Sequence, residues 1–285
     1  NPWDIAIRAD GTIVVVGNAH NQYDDNKGTV ASLLSDDGSV QWTKGFSVDN
    51  AHQTNPYYLD PVHPYGSIVP LEDGRIILVG SKSESPAIFE VDRNGNCLSR
   101  RTVNSGAGEL ALSALGLPDG RFLVIGRSDN DLLVSRHFSN GDLDSSFGSA
   151  GIAKVPVLNN VDDGYLATLA TDGKILISGT SNNSVNNDLT VTRLNYDGSV
   201  DNSFGINGSV SFDISGEDYG QAIASLADGK ILVGGRAGDD IALVRLLGDS
   251  DQSTMPANQA PVNSAPGPQT ANTGVPLAFT APRGN

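Results

Sequence analysis

The chain has 285 residues with 33 acidic against 18 basic side chains, a formal net charge of −15, 33 glycines, 14 prolines and a single cysteine, Cys97. A surface this acidic repels phosphate backbones and argues against a nucleic-acid binder, and one cysteine excludes an internal disulfide. No apolar run approaches the ~18 residues of a membrane-spanning helix, so the sequence reads as a turn-rich chain long enough to bury a core.

In chain order, the first copy of a repeated phrase is an apolar run at 5–7, the turn Asp10-Gly11, a second apolar run at 13–16 and Gly17, seven positions after the Asp. The phrase returns at Asp73-Gly74 with Gly80, Asp119-Gly120 with Gly126, Asp172-Gly173 with Gly179, and Asp228-Gly229 with Gly235, at spacings of 46 to 63 residues. Asp-Gly between apolar runs is a hairpin signal, because glycine tolerates the positive φ of tight turns. The closing glycine allows a close approach of neighbouring backbone. A third run follows in each copy, at 30–34, 87–91, 132–138, 189–194 and 241–247. A second turn then comes at Asp37-Gly38, Asn94-Gly95, Asn140-Gly141 or Asp197-Gly198, leading to outer runs such as 152–157 and 209–214. No segment keeps helical periodicity. The expected fold is all-β: a β-propeller of about five four-stranded blades, open or part of a larger ring. The blades are expected at about 1–50, 51–106, 107–163, 164–219 and 220–247, with an extended linker from 248 to 285.

The phrases Asp142-Leu-Asp144-Ser-Ser-Phe147-Gly148 and Tyr196-Asp197-Gly198-Ser-Val-Asp201-Asn-Ser-Phe204-Gly205, each downstream of an Asp-Gly-cation turn, resemble the delta-60 repeat of bacterial secreted and surface proteins. The resemblance covers residues 1–247 and is weakest in the first two copies, which lack the Asp-x-Ser-Phe-Gly phrase. It implies a propeller repeat domain without an assigned activity. The polar stretch 248–268 reads as a linker. The segment from Asn258 to Phe279 is similar to the opening of an Ig-like or cadherin-like adhesin module. The chain begins at Asn1 and runs into that segment, which fits a piece of a longer polypeptide. The fifth copy lacks an outer strand, to be supplied from outside the chain, by residues 275–280 folding back, or by another subunit.

Chemistry is sparse. The four histidines are scattered, with no metal-binding spacing, nucleophile elbow or phosphate-cradling loop. The acidic pairs Asp24-Asp25, Asp36-Asp37, Asp162-Asp163 and Asp239-Asp240 suit turns better than glycosidase catalysis. Asn140, Asp142 and Asp144, with Asp197 and Asp201, offer alternating oxygens, so calcium is the one ion weighed, against the reading that these residues cap their own turns. The insertion 51–66 carries His52, Gln53, Asn55, Tyr57, Tyr58, Asp60, His63 and Tyr65 on a proline-stiffened loop, a composition suited to sugar or peptide contact and equally to packing between blades. Trp3, Trp42, Phe147 and Phe204 are expected in packing roles.

The expected function is a non-catalytic propeller module of a secreted or cell-surface bacterial protein, an adhesion or ligand-binding platform for a protein or glycan, without cofactor unless calcium. Two alternatives stand beside it: a structural subunit of an extracellular assembly, self-associating through the open blade edge or C-terminal tail, and a propeller enzyme acting on polysaccharide.

Overall fold

The computed structural model describes residues 2–21, 24–35, 37–46, 66–82, 85–102, 110–157, 162–247 and 277–281. All the regular structure among them is strand, in five four-stranded antiparallel sheets. The first holds β1 (Pro2–Ile7), β2 (Ile13–Asn21), β3 (Asp24–Leu34) and β4 (Val40–Phe46). The second holds β5 (Gly66–Pro70), β6 (Ile76–Lys82), β7 (Ser85–Val91) and β8 (Cys97–Thr102). The third is β9 (Leu110–Gly116), β10 (Phe122–Ser128), β11 (Asp131–His137) and β12 (Ile152–Val155), and the fourth β13 (Asp162–Leu169), β14 (Ile175–Asn182), β15 (Asn187–Leu194) and β16 (Ser209–Phe212). The fifth runs β17 (Asp218–Ser225), β18 (Ile231–Ala237), β19 (Asp240–Leu246) and β20 (Leu277–Ala281). In every sheet spatial order follows chain order, so each is a meander. The chain divides into two compact units, residues 1–129 with 134–152 and residues 130–133 with 153–285.

Two expected boundaries shift. The positions 163/164 and 219/220 fall inside β13 and β17, because the innermost strands begin at the buried Asp162 and Asp218 rather than at the apolar runs that follow. Each carboxylate draws the preceding chain onto its strand: Asp162 accepts from Val157 N, and Asp218 accepts from Ile214 N and Ser215 N. The outer strand of the fifth sheet is β20, which pairs with β19 from Ile241↔Ala281 to Arg245↔Leu277. Residues 277–281, beyond the polar stretch 248–268, thus complete the last sheet.

The Asp-Gly turns are three-residue loops. Ala170 N donates to Lys174 O and Gly173 N to Ala170 O, with Gly173 at φ +84°, a type I turn closed by a left-handed residue. The Asp side chain holds the loop by accepting from the backbone two residues on, as Asp172 does from Lys174 N. In the first, third, fourth and fifth sheets the glycine seven residues after the Asp meets a β-bulge. Gly179 pairs with Gly164, the register then skips Tyr165, and a Cβ on Gly179 would run into the Asp163 carbonyl oxygen. Gly126 and Gly235 face Leu110 and Tyr219 in the same way.

Alternation along the strands gives each sheet two apolar faces, and neighbouring sheets bury them. Val14, Val16, Ala31 and Leu33 of the first sheet pack on Ile68, Ile76, Leu78 and Phe89 of the second. Val69, Ile77, Val79 and Ile88 on its opposite face meet Ala111, Phe122 and Val124 of the third. In the second unit Leu176, Leu189 and Val191 meet Ile223, Ile231, Val233 and Val244. Trp42 packs at the edge of the first cluster and donates to Arg93 O, as expected of a packing residue.

Candidate functional site

The carboxylates singled out for calcium are placed differently from one another. Asp144 is 3% exposed and accepts from Arg121 Nη1, Arg136 Nε, Ser146 N and Ser146 Oγ. Burial opposes its ionisation, but the hydrogen bonds from Ser146, Arg121 and Arg136 prevail and hold its pKa well below the usual carboxylate range. The fourth sheet repeats the cluster: Asp201 accepts from Arg193 Nε at 2.7 Å, pairs with Lys174 at 3.2 Å and takes Ser203 N and Oγ. Burial again acts upward, and these partners bring its pKa down to about 2. Phe147 and Phe204 are fully buried beneath Arg136 and Arg193, whose guanidinium carbons lie 4.8 and 4.6 Å from the ring centroids. The Asp-x-Ser-Phe-Gly phrase is therefore a clasp in which acid, hydroxyl, ring and two cations lock the second turn onto its sheet. Asp142 pairs with Arg101 and accepts from Asn140 Nδ2, and Asp197 takes Ser199 N and Oγ. These oxygens are taken by hydroxyl, amide and cationic partners, Arg101 of the second sheet among them, and no group of three or more His, Cys, Asp or Glu positioned to hold a metal occurs among the described residues. His52, Gln53, Asn55, Tyr57, Tyr58, Asp60, His63 and Tyr65 lie outside the described residues.

The structure brings together a different set on the second unit. Tyr165 occupies the bulge of β13, where the skipped register re-aims its side chain. Tyr219 lies one residue before the corresponding irregularity of β17, directly opposite Arg236 of β18. The two rings are tilted by 57° with centroids 6.5 Å apart, and the Arg236 guanidinium lies 5.6 Å from the Tyr219 ring centroid. Asn187, at the start of β15, donates through Nδ2 to Glu217 Oε2 at 2.5 Å and to the Tyr219 hydroxyl oxygen at 3.1 Å, and that hydroxyl donates to Glu217 at 3.0 Å. Glu217 and Arg236 are exposed, while Tyr165, Asn187 and Tyr219 are half-buried. Burial raises the Tyr219 pKa, the Asn187 hydrogen bond opposes this, and Glu217 adds to it, so the phenol stays protonated as a donor.

Next to this surface a side-chain hydroxyl and a close glycine approach join the fourth and fifth sheets. Thr180 Oγ1 lies 3.1 Å from Asp188 O and 2.9 Å from Asp218 O. A Cβ on Gly220 would sit 3.0 Å from Gly179 O. Asp188 and Asp218 both have raised pKa values, chiefly from burial, with Asp213 adding to each. Two rings, an amide, a carboxylate and a guanidinium thus lie together, partly open to solvent, an arrangement in which rings offer apolar faces and polar groups can fix orientation. The repeat rule does not reveal it. Asp162-Asp163-Gly164-Tyr165 and Asp218-Tyr219-Gly220 align on their glycines, and the tyrosines fall at different places in that alignment.

Residues 170–204 and 226–252 match the family described as a beta-propeller domain of unknown function, DUF5122. No curated protein matches in sequence. Among solved structures, a Lactobacillus plantarum protein is 14% identical with a TM-score of 0.51, covering 86% of this chain and 80% of that one. Semaphorin 1a of Drosophila is 12% identical with a TM-score of 0.49, covering 92% of this chain and 58% of its own. TolB of Acinetobacter baumannii is 15% identical with a TM-score of 0.46, over 87% of this chain; the chain spans about half of TolB's length, 52%. No helix of the described residues is long and apolar enough to cross a membrane. At such identities likeness carries the fold alone, and the four-stranded meanders together with the family match make this a β-propeller domain.

Proposed function

We propose that the chain is a non-catalytic recognition module of a bacterial secreted or cell-surface protein, and that it takes a protein or glycan ligand on the Tyr165, Asn187, Glu217, Tyr219 and Arg236 surface. The observation that carries this reading is the hydrogen-bonded amide, acid and phenol beside a tilted tyrosine pair, partly open to solvent. Resemblance of the Asp144 and Asp201 phrases to delta-60 repeats supports the bacterial exported setting, and the net charge of −15 suits a soluble exported surface. Neutralisation of Asp144 and Asp201 by buried cations supports a structural role for these acids over acid-base work. Glycan and peptide arrays probed with the whole chain test the reading, with Tyr165→Ala and Tyr219→Ala as controls. A bound ligand class whose affinity falls about tenfold or more in each variant is the expected result. Equal binding by both variants, or turnover of a polysaccharide by the purified chain, would overturn it.

A second reading is favoured by one observation, the pairing of β20 onto the edge of β19. A strand reached through a polar linker can equally be donated to a neighbouring subunit, which would make the chain a structural unit of an assembly. Removal of residues 248–285 would then convert a multimeric species to a monomer.

A further inference from the structure

The first copy of the repeat moves its cation. Two residues after the Asp of each later turn stand Arg75, Arg121, Lys174 and Lys230, and the first three reach an acid of their own repeat, Glu90, Asp144 and Asp201. In the first copy that position is Thr12, and Leu33 takes the place that Glu90 holds across the ladder. The charge stands instead two residues before the Asp, at Arg8, where the other copies carry Leu71, Leu117, Ala170 and Leu226. An arginine at an aliphatic position is buried as an aliphatic would be, and Arg8 is 6% exposed. Its Nη1 lies 3.5 Å from Thr12 Oγ1, while Nε and Nη2 are buried without a hydrogen-bond partner among the described residues. Empty donors on a buried guanidinium are costly, and a charged acceptor offsets that cost.

A second cation stands beside it. Arg93, in the turn after β7, is exposed and folds back over the Asp73-Gly74 turn, donating Nε to Asp73 O at 3.1 Å. The two guanidinium groups converge on the point where a Gly74 Cβ would stand, with Arg93 Cζ and Arg8 Nη2 each 2.8 Å from it. The missing side chain of Gly74 is what leaves room for both. Asp10, close by, is exposed and gives its Oδ1 to Thr12 N and Thr12 Oγ1, so it leaves the Arg8 donors empty. Like charges placed side by side repel, and an anion between them turns that repulsion into attraction.

We infer that Arg8 and Arg93 form an anion site on the first two sheets that takes a phosphate or sulfate group, free or carried on a sugar, with the exposed Arg93 side chain turning off Gly74 to admit it. Arg8 donates through Nε and Nη2, the paired geometry that a guanidinium offers an oxyanion, and Arg93 supplies the second charge. All of these groups lie within the first unit, and the inference stands apart from the tyrosine surface of the second.

Calorimetric titration of the full chain with inorganic phosphate and, separately, inorganic sulfate, at a low ionic strength held constant with sodium chloride, tests this. The parent should bind both ions, and Arg8→Leu and Arg93→Ala should each weaken binding by about tenfold or more. Leucine is what three of the other copies carry at this place, so Arg8→Leu should fold and, without anion, melt no lower than the parent. Arg93→Ala alters an exposed side chain and should keep the fold. Asp10→Asn should tighten binding, because it removes a charge that competes for the two cations while its amide oxygen still accepts from Thr12. Glucose 6-phosphate and glucose 6-sulfate as titrants separate the sources: tighter binding of the esters assigns the site to a charged substituent of a sugar, and tighter binding of the inorganic ions assigns it to the free ion. A parent that binds neither ions nor esters, or binding kept at parent strength in Arg8→Leu and Arg93→Ala, would overturn the inference.

Discussion

Replacing Gly179 by alanine tests the claim that the closing glycine of each repeat exists for a close backbone approach. The new Cβ would lie well inside the 3.0 Å limit from the Asp163 carbonyl oxygen, 3.0 Å from its carbon and 3.2 Å from Gly164 Cα. Relief by moving away is blocked, because Gly220 of the neighbouring sheet lies against the backbone of Gly179 on another side. The innermost strand must therefore shift, loosening the Asp163↔Thr180 and Gly164↔Gly179 pairs of the β13–β14 ladder. Overpacking with backbone displacement costs about 3 kcal/mol, which for a domain of this size lowers the melting midpoint by roughly 10 °C. Gly173 is the matched control. It has φ +84° but nothing within 4 Å of a Cβ, so Gly173→Ala carries only the left-handed penalty of about 1 kcal/mol. Urea denaturation of the two variants and the parent, followed by circular dichroism, reads the difference. If Gly179→Ala proves no less stable than Gly173→Ala, close approach is not the reason for the glycine period.

The clasp predicts an asymmetry between acids two residues apart. Asp144→Asn leaves the buried Arg136 without its charge partner and should cost about 3 kcal/mol in urea, whereas Asp142→Asn breaks a pair whose members are 52% and 41% exposed and should cost under about 1 kcal/mol, less at high salt. His137 is 1% exposed, with Nδ1 3.1 Å from Gly141 O, Nε2 2.8 Å from Ser135 Oγ and its ring stacked on Phe122. Burial, opposed by the Gly141 hydrogen bond, pushes its pKa from 6.5 down to about 4. The unfolded chain then binds the proton first, so this contribution is intact above pH 6.5 and about 3 kcal/mol is lost as pH falls towards 4. His137→Gln should flatten that part of the stability profile. Asp201, lowered to about 2 from 3.8, acts in a separate window: its contribution is present above 3.8 and lost as pH falls towards 2, and Asp201→Asn should remove the loss.

The fold was legible because its signals are local. An Asp-Gly turn, a closing glycine and flanking aliphatic runs specify a three-residue hairpin without reference to anything distant, and all five copies form it, while the register irregularity beside the closing glycine occurs in the first, third, fourth and fifth sheets. Burial of Phe147 and Phe204 could be anticipated from their recurrence. The clasp around them could not. Its cations Arg121 and Lys174 come from the turn before β10 or β14, more than 20 residues from Asp144 or Asp201, and only the meander brings them together. For Asn140, Asp142, Asp144, Asp197 and Asp201 likewise, sequence spacing offers alternating oxygens but does not reveal which of them already hold an arginine or lysine.

In a repeat protein, residues that recur at one position in every unit are explained by what every unit needs: a turn, a bulge, a clasp, a mating face. Specific recognition has to come from departures from the period. Tyr165 and Tyr219 are such departures, falling on different sides of equivalent glycines, so the bulge of one strand and the regular pairing of the next tilt them against each other. What changes around Arg236 is its partner: the equivalent Arg127 of the third sheet faces Leu110 and Thr180 of the fourth faces Asp163, and of these three sheets only in the fifth does a tyrosine stand directly across the ladder. Exchanging Tyr219 for the aspartate that Asp163 supplies at the corresponding place should leave the sheet intact, since the ladder there is held by backbone, while removing the ring face beneath Arg236 and the phenol to which Asn187 donates. A Tyr219→Asp variant with an unchanged melting midpoint and lost ligand capture would separate the scaffold from the recognition surface, and a variant that unfolds would show the tyrosine to be part of the scaffold.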